Sequence, residues 1–129
     1  MSWKTYPFAV ERRAWGPILD NFPHIEALTT GITSRRIVRL GYSRQRDGVL
    51  SLHHVAPIDI RPGDTPRTSA TWYLWAYCFE EQRLEMHLLD RVRSANLTGG
   101  LFDPAEILAK WPAPDWPRPE AWIVPRSWD

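Results

Sequence analysis

His, Cys, Ser and Arg are the residues here whose spacing could carry chemistry. His53 and His54 are adjacent; on a strand, neighbours point to opposite faces, so the two cannot share one ion. A metal site would need His87 and Cys78 to converge with one of them, and none is expected. Cys78 is the single cysteine and sits in the apolar run TWYLWAYCF, where it reads as a small buried hydrophobe; as a nucleophile it would need a base beside it. Ser51 lies two residues before His53 and shares its strand face, which sets a hydroxyl beside an imidazole. With no evident third group or oxyanion donor, that pair is expected to contact a ligand rather than to hydrolyse one. The chain has no P-loop, dinucleotide fingerprint, paired CxxC or HExxH. No catalytic residue, no metal and no cofactor are therefore expected.

The basic residues are fourteen Arg against two Lys, at a net charge of +1. So small a net charge draws no polyanion to the whole surface, but guanidinium forks grip phosphates and carboxylates at two points. A GC-rich coding bias would give the same skew. Clustering says more: Arg35, Arg36, Arg39, Arg44 and Arg46 are offset nearby only by Asp47, which predicts a local basic stripe.

The elements that must position these groups follow from length and periodicity. A chain of 129 residues, 43% hydrophobic and 24% charged, fits one folded domain over 1–129. The lone cysteine, the lack of an apolar leader and the lack of a run of about 18 apolar residues point to a cytoplasmic protein with no membrane span. Residues 1–16 read as an arm. Ile18, Leu19, Phe22, Ile25 and Leu28 recur at helical spacing broken by Pro23, which predicts a helix from about His24 to Thr30. From Ser34 the pattern alternates, with Val38, Leu40 and Tyr42 on one face and Ile37, Arg39 and Gly41 on the other.

Asp47-Gly48 suits a hairpin reversal into an extended segment from Val49 to Ile60. The Pro- and Gly-containing stretch from Arg61 to Ala70 predicts a loop, and Thr71 to Phe79 a buried, central strand. Glu80-Glu81-Gln82 turns the chain into a partner strand, Arg83 to Leu89, and an extended piece from Asp90 to Thr98 ends at Gly99-Gly100. About five strands in a meander are closed most economically as a small antiparallel β-barrel. Asp103-Pro104-Ala105-Glu106 starts a short helix over 103–110. The tail 111–129 holds five of the twelve Pro and four of the eight Trp, and either wraps the barrel or docks a partner.

Four ordered motifs carry a family resemblance. Trp72-Tyr73-Leu74 with Ala76-Tyr77-Cys78 matches the tripeptide, and its continuation, that name the WYL domain. Arg36-Ile37-Val38-Arg39-Leu40-Gly41-Tyr42 resembles the strand that opens that domain. Ser51-Leu52-His53-His54-Val55-Ala56-Pro57 is similar to its Ser-x-Arg-x-Val-x-Pro strand, and Leu89-Asp90-Arg91-Val92 to its Leu-Asp-Arg-Ile segment. The resemblance covers about residues 25–97. It implies a mainly β fold with short helices, an Sm-like or SH3-like barrel of about five strands, preceded by a helix and followed by a short helix and the Pro/Trp-rich tail.

It also implies a sensor. WYL domains usually follow a winged helix-turn-helix in bacterial transcription regulators, some occur in CRISPR or anti-phage systems, and they are thought to bind nucleic acid or nucleotide-like effectors. With some 24 residues before the match, a DNA-reading domain of about 60 residues or more is not expected within this chain. The ligand-facing positions carried over are Tyr42, Ser51, His53, Tyr73 and Arg91, with Arg83 alongside. Arg91 would fork a phosphate or else form a structural ion pair; Tyr73 would stack a base; Tyr42 would face ligand or core.

His53 stands where the family commonly has Arg, and Glu85 and Leu88 stand where Arg is frequent, which would retune the pocket. The expected function is binding of a nucleotide, oligonucleotide or single-stranded nucleic acid, relayed to a protein partner or through a homodimer. The alternative is an accessory protein-interaction subunit with a degenerate pocket, and a small hydrolase using Ser51, His53 or His87 ranks third.

Overall fold

The computed structural model describes residues 22–43, 48–63, 67, 71–110 and 124. The first helix, α1 (Ile25–Ser34), seats Leu28 and Ile32 in the core, with Phe22 and Ile25 packed beside them. It runs past the expected stop at Thr30 because Gly31 permits close packing: a Cβ there would lie 2.7 Å from Val38 Cγ2 and 2.9 Å from Pro57 Cγ. The helix ends at Arg35, whose left-handed backbone (φ 56°) lets its amide donate to the Gly31 carbonyl and swings the chain into the sheet.

Five antiparallel strands follow: β1 (Arg36–Ser43), β2 (Leu50–Pro62), β3 (Trp72–Cys78), β4 (Arg83–Leu88) and β5 (Val92–Leu101), in the order β4-β3-β2-β1-β5. The expected hairpin is β1–β2, with Val38 opposite Val55 and Tyr42 opposite Ser51. β2 is the central strand and β3 its neighbour, rather than β3 the centre. β5 passes over β4 to pair with β1, which bends the sheet back on itself as in a barrel. No ladder joins β4 to β5 among the described residues; a single 3₁₀ turn, Leu89–Arg91, spans that seam. The fold is thus mainly β with short helices, a curled sheet rather than a barrel closed by hydrogen bonds all round.

Two strand limits differ from expectation, and one interior proline needs a bulge. β2 continues through Arg61 and Pro62, opposite Tyr73 and Trp72, because a Pro at a strand end forfeits little pairing. Pro57, well inside β2, borders a bulge between Pro57 and Asp59, which accommodates its missing N–H. β5 runs on through Gly99 and Gly100 to Leu101, its pairing with Arg36 of β1 outweighing the turn preference of two glycines.

Val38, Leu40 and Tyr42 join Val55, Leu74, Ala76 and Cys78 in the main core under α1. On the other face Ala56, Ile58 and Tyr77 form a smaller cluster with Phe102 and Ile107 of the C-terminal segment. The second helix, α2 (Pro104–Lys110), starts as expected: the Asp103 carboxylate accepts the Ala105 amide at 3.0 Å. Within the tail, Val124 is buried in the main core, and its amide donates to the fully buried Asp59 at 2.9 Å. The arm over 1–16 and the rest of the tail fall outside the described residues. No helix among the described residues is long and apolar enough to cross a membrane.

Candidate functional site

Register decides which polar side chains meet. Tyr42 faces Ser51, Leu40 faces His53, Val55 faces Cys78, and β3–β4 pairs Cys78 with Arg83, Ala76 with Glu85 and Leu74 with His87. Directly opposed residues share a face. Tyr42, Ser51, His53, Cys78, Arg83, Glu85 and His87 therefore lie on the inner face of the curled sheet. In β4 the inner set is the polar one: His87 is buried while Met86 is exposed, because β3 dictates the phase of its partner.

An open groove of about 480 Å³ runs along the seam, lined by Tyr42, Arg83, Leu84, Glu85, Met86 and His87. The Tyr42 and His87 rings meet edge-on at 4.7 Å. The Tyr42 hydroxyl accepts the Leu88 amide at 2.9 Å, so β1 reaches β4 across strands that do not pair. Tyr42 is thus a core aromatic and a groove wall at once.

Arg83 is held between two carboxylates, 2.8 Å from Glu81 and 2.8 Å from Glu85. The hydrogen bond to Glu85, then the charges of Glu85 and Glu81, push its pKa up. Glu85 also lies 3.4 Å from His87 Nε2. Arg83, the further ligand-facing candidate, thus has its fork engaged by two acids.

Two other carried-over positions do not converge with this set. Tyr73 pairs with Arg61 and Leu88 and lies on the face opposite Tyr42, Ser51 and His53, since it alternates with Trp72 and Leu74. Arg91 sits half-buried in the 3₁₀ turn that bridges the seam. Tyr42, opposite Ser51, is thus an aromatic on the face of Ser51 and His53, while Tyr73 lies on the other.

The spacing argument also missed a cluster. His53 is buried and His54 exposed, on opposite faces as expected. His53 Nδ1 lies 3.5 Å from Cys78 Sγ, and the Cys78 thiol points to Glu80 Oε2 at 3.7 Å. The three donor atoms lie within 4.8 Å of one another. The third donor in reach of Cys78 and His53 is Glu80, where the sequence pointed to His87. Glu80 lies in the expected turn, two residues past the end of β3, where strand alternation does not place a side chain.

Burial pushes the Cys78 thiol pKa up. Partial burial pulls the Glu80 carboxyl upward too, but hydrogen bonds from the His54 ring and amide together outweigh it and hold that carboxyl below its ordinary value. Those bonds are short: His54 Nδ1 to Glu80 Oε1 is 2.7 Å, and the His54 amide to Oε2 is 2.9 Å. Of the two ring nitrogens of His53, Nε2 is buried with no hydrogen-bond partner among the described residues.

The model of the WYL domain matches residues 23–97, which span α1 through most of β5. A solved structure of proteasome accessory factor B/C (PafBC) of Arthrobacter aurescens resembles the chain with a TM-score of 0.59 and 25% identity. The similarity covers 79% of this chain and 14% of that one, so this chain corresponds to a small part of that protein. No curated protein matches the chain.

Proposed function

We propose, from the premise that this chain belongs to the WYL domain family, that it is a ligand-sensing regulatory module whose groove takes a nucleotide, an oligonucleotide or single-stranded nucleic acid. The observation that carries the reading is the position of the groove at the seam of the sheet. There Tyr42, Arg83 and His87 converge, and the Tyr42 side chain joins β1 to β4 through its ring contact with His87 and its hydroxyl bond from Leu88. A phosphate entering the groove competes with Glu85 for the Arg83 fork, while Leu84 and Met86 offer apolar wall to a base. Because the Tyr42–Leu88 bond lies at the same place, an occupied groove shifts β4 against β1 and passes the signal to a partner or a second copy. The module acts by binding, without catalysis, in the cytoplasm, within transcriptional or anti-phage regulation.

The test is anisotropy of short labelled single-stranded DNA and RNA, with competing mononucleotides, at low and moderate salt. Saturable binding that weakens as salt rises and falls in Arg83→Ala supports the reading. Absence of binding to either strand at low salt removes it.

A second reading is favoured by the double pairing of Arg83 and by Val49, Leu50 and Leu52, which are 65%, 51% and 50% exposed where β2 begins. In it the groove is degenerate and the chain is an accessory subunit docking a protein. Loss of a co-purifying partner in Leu52→Glu, at an exposed position of β2, with the core still folded, would favour it.

A further inference from the structure

We propose that His53, Cys78 and Glu80 form a binding site for a divalent ion of the zinc class, joining the end of β3 to β2 at the inner face of the sheet. The inference does not depend on the groove's ligand. Its first support is geometric. A tetrahedral zinc with Zn–S of about 2.3 Å and Zn–N or Zn–O of about 2.0–2.1 Å requires sulfur-to-nitrogen and sulfur-to-oxygen edges of about 3.5 Å. The chain holds Cys78 Sγ 3.5 Å from His53 Nδ1 and 3.7 Å from Glu80 Oε2. Those two edges stand before any ion binds; the third, between His53 and Glu80, lies within 4.8 Å and closes toward about 3.4 Å by rotation of the half-exposed Glu80 side chain.

The second support is the state of His53. It is 8% exposed, yet its Nε2 has no hydrogen-bond partner among the described residues and its Nδ1 faces only a thiol. A histidine kept for structure normally has its ring nitrogens satisfied, since a buried polar atom without a partner costs free energy. Coordination at Nδ1 would give that nitrogen a strong partner in place of the weak thiol contact; Nε2, on the other side of the ring, takes no part. An inert cysteine in an apolar strand is the simpler reading of Cys78 alone, but it explains neither the imidazole set against the sulfur nor the carboxylate aimed at it.

The third support is the outer shell. Glu80 is fixed by its bonds from the His54 ring and amide, the arrangement by which second-shell partners orient a ligating carboxylate. With its side chain 42% exposed, Glu80 also gives an ion a path from solvent. The donor set selects the metal: thiolate and imidazole suit zinc, whereas calcium and magnesium take oxygen. Three protein ligands leave one tetrahedral position for water or a further ligand. On binding, the Cys78 thiol gives its proton to solvent and the sulfur bonds the metal as thiolate.

The test uses the full chain, stripped with chelator and titrated with Co²⁺ as an optical probe, then with Zn²⁺ in competition. One cobalt per chain, with a thiolate-to-cobalt charge-transfer band and the intense visible bands of a tetrahedral site, is the expected result. Cys78→Ser should remove the charge-transfer band. Glu80→Gln, at an exposed position that does not threaten the fold, should weaken binding at least tenfold, and His54→Ala by about 10–100-fold. His24→Gln should leave it unchanged. Zinc should raise the unfolding midpoint of the wild type but not of Cys78→Ser. The proposal is overturned by failure to take up stoichiometric cobalt, by uptake without a thiolate band, or by equal affinity in Glu80→Gln.

Discussion

Asp59 and His53 are both buried polar residues of the central strand, six positions apart, and they are treated in opposite ways. Asp59, 0% exposed, accepts the Val124 amide at 2.9 Å on one oxygen and faces Arg61 at 3.3 Å on the other. His53 has a thiol on one side and no hydrogen-bond partner on the other among the described residues. A buried polar group with its partners in place holds a structure together; one without them lowers stability, and such groups gather at sites where a ligand is to come. The same strand thus carries an anchor at one end and a receptor at the other.

Four substitutions sharpen or break this contrast. Asp59→Ala is expected to have the largest effect, costing about 3 kcal/mol in denaturant unfolding, because it orphans the Val124 amide and strips Arg61 of its acid. Next is Tyr42→Phe, which leaves the Leu88 amide at the seam without its acceptor. A loss of about 1–2 kcal/mol and faster hydrogen exchange at Leu88 are expected. His53→Leu in metal-free protein should be neutral or stabilising by up to about 1 kcal/mol, since it removes an unsatisfied nitrogen while keeping bulk. A loss of the size predicted for Asp59→Ala would show His53 to be an anchor too and end the contrast. Arg83→Ala should have the smallest effect on the unfolding midpoint, because Arg83 itself is 57% exposed, although Glu85, 11% exposed, loses a partner; nucleic acid binding should fall in the anisotropy titration.

Much of this was legible in residue order. The Val38, Leu40, Tyr42 stripe, the β1–β2 hairpin, the Trp72–Cys78 strand and the Asp103 cap all rest on interactions within a few residues, and the structure contains each. The opposite facing of His53 and His54 was equally local. What went astray depended on distant partners. Gly99 and Gly100 look like a stop but stay in β5 because Arg36 pairs beyond them, at Leu101. Tyr73 looked like a companion of Ser51 and His53 until the register set it on the other face.

By itself the sequence determined the alternation that makes this chain a sheet and the motif that places it in its family, because strand periodicity and turn chemistry are written in neighbouring residues. Tertiary structure decided the rest. Cys78 and His53 are 25 residues apart, and they meet because β2 and β3 pair in a register that puts Val55 opposite Cys78. One step of slip would turn every side chain of β3 to the other face and separate the thiol from the imidazole.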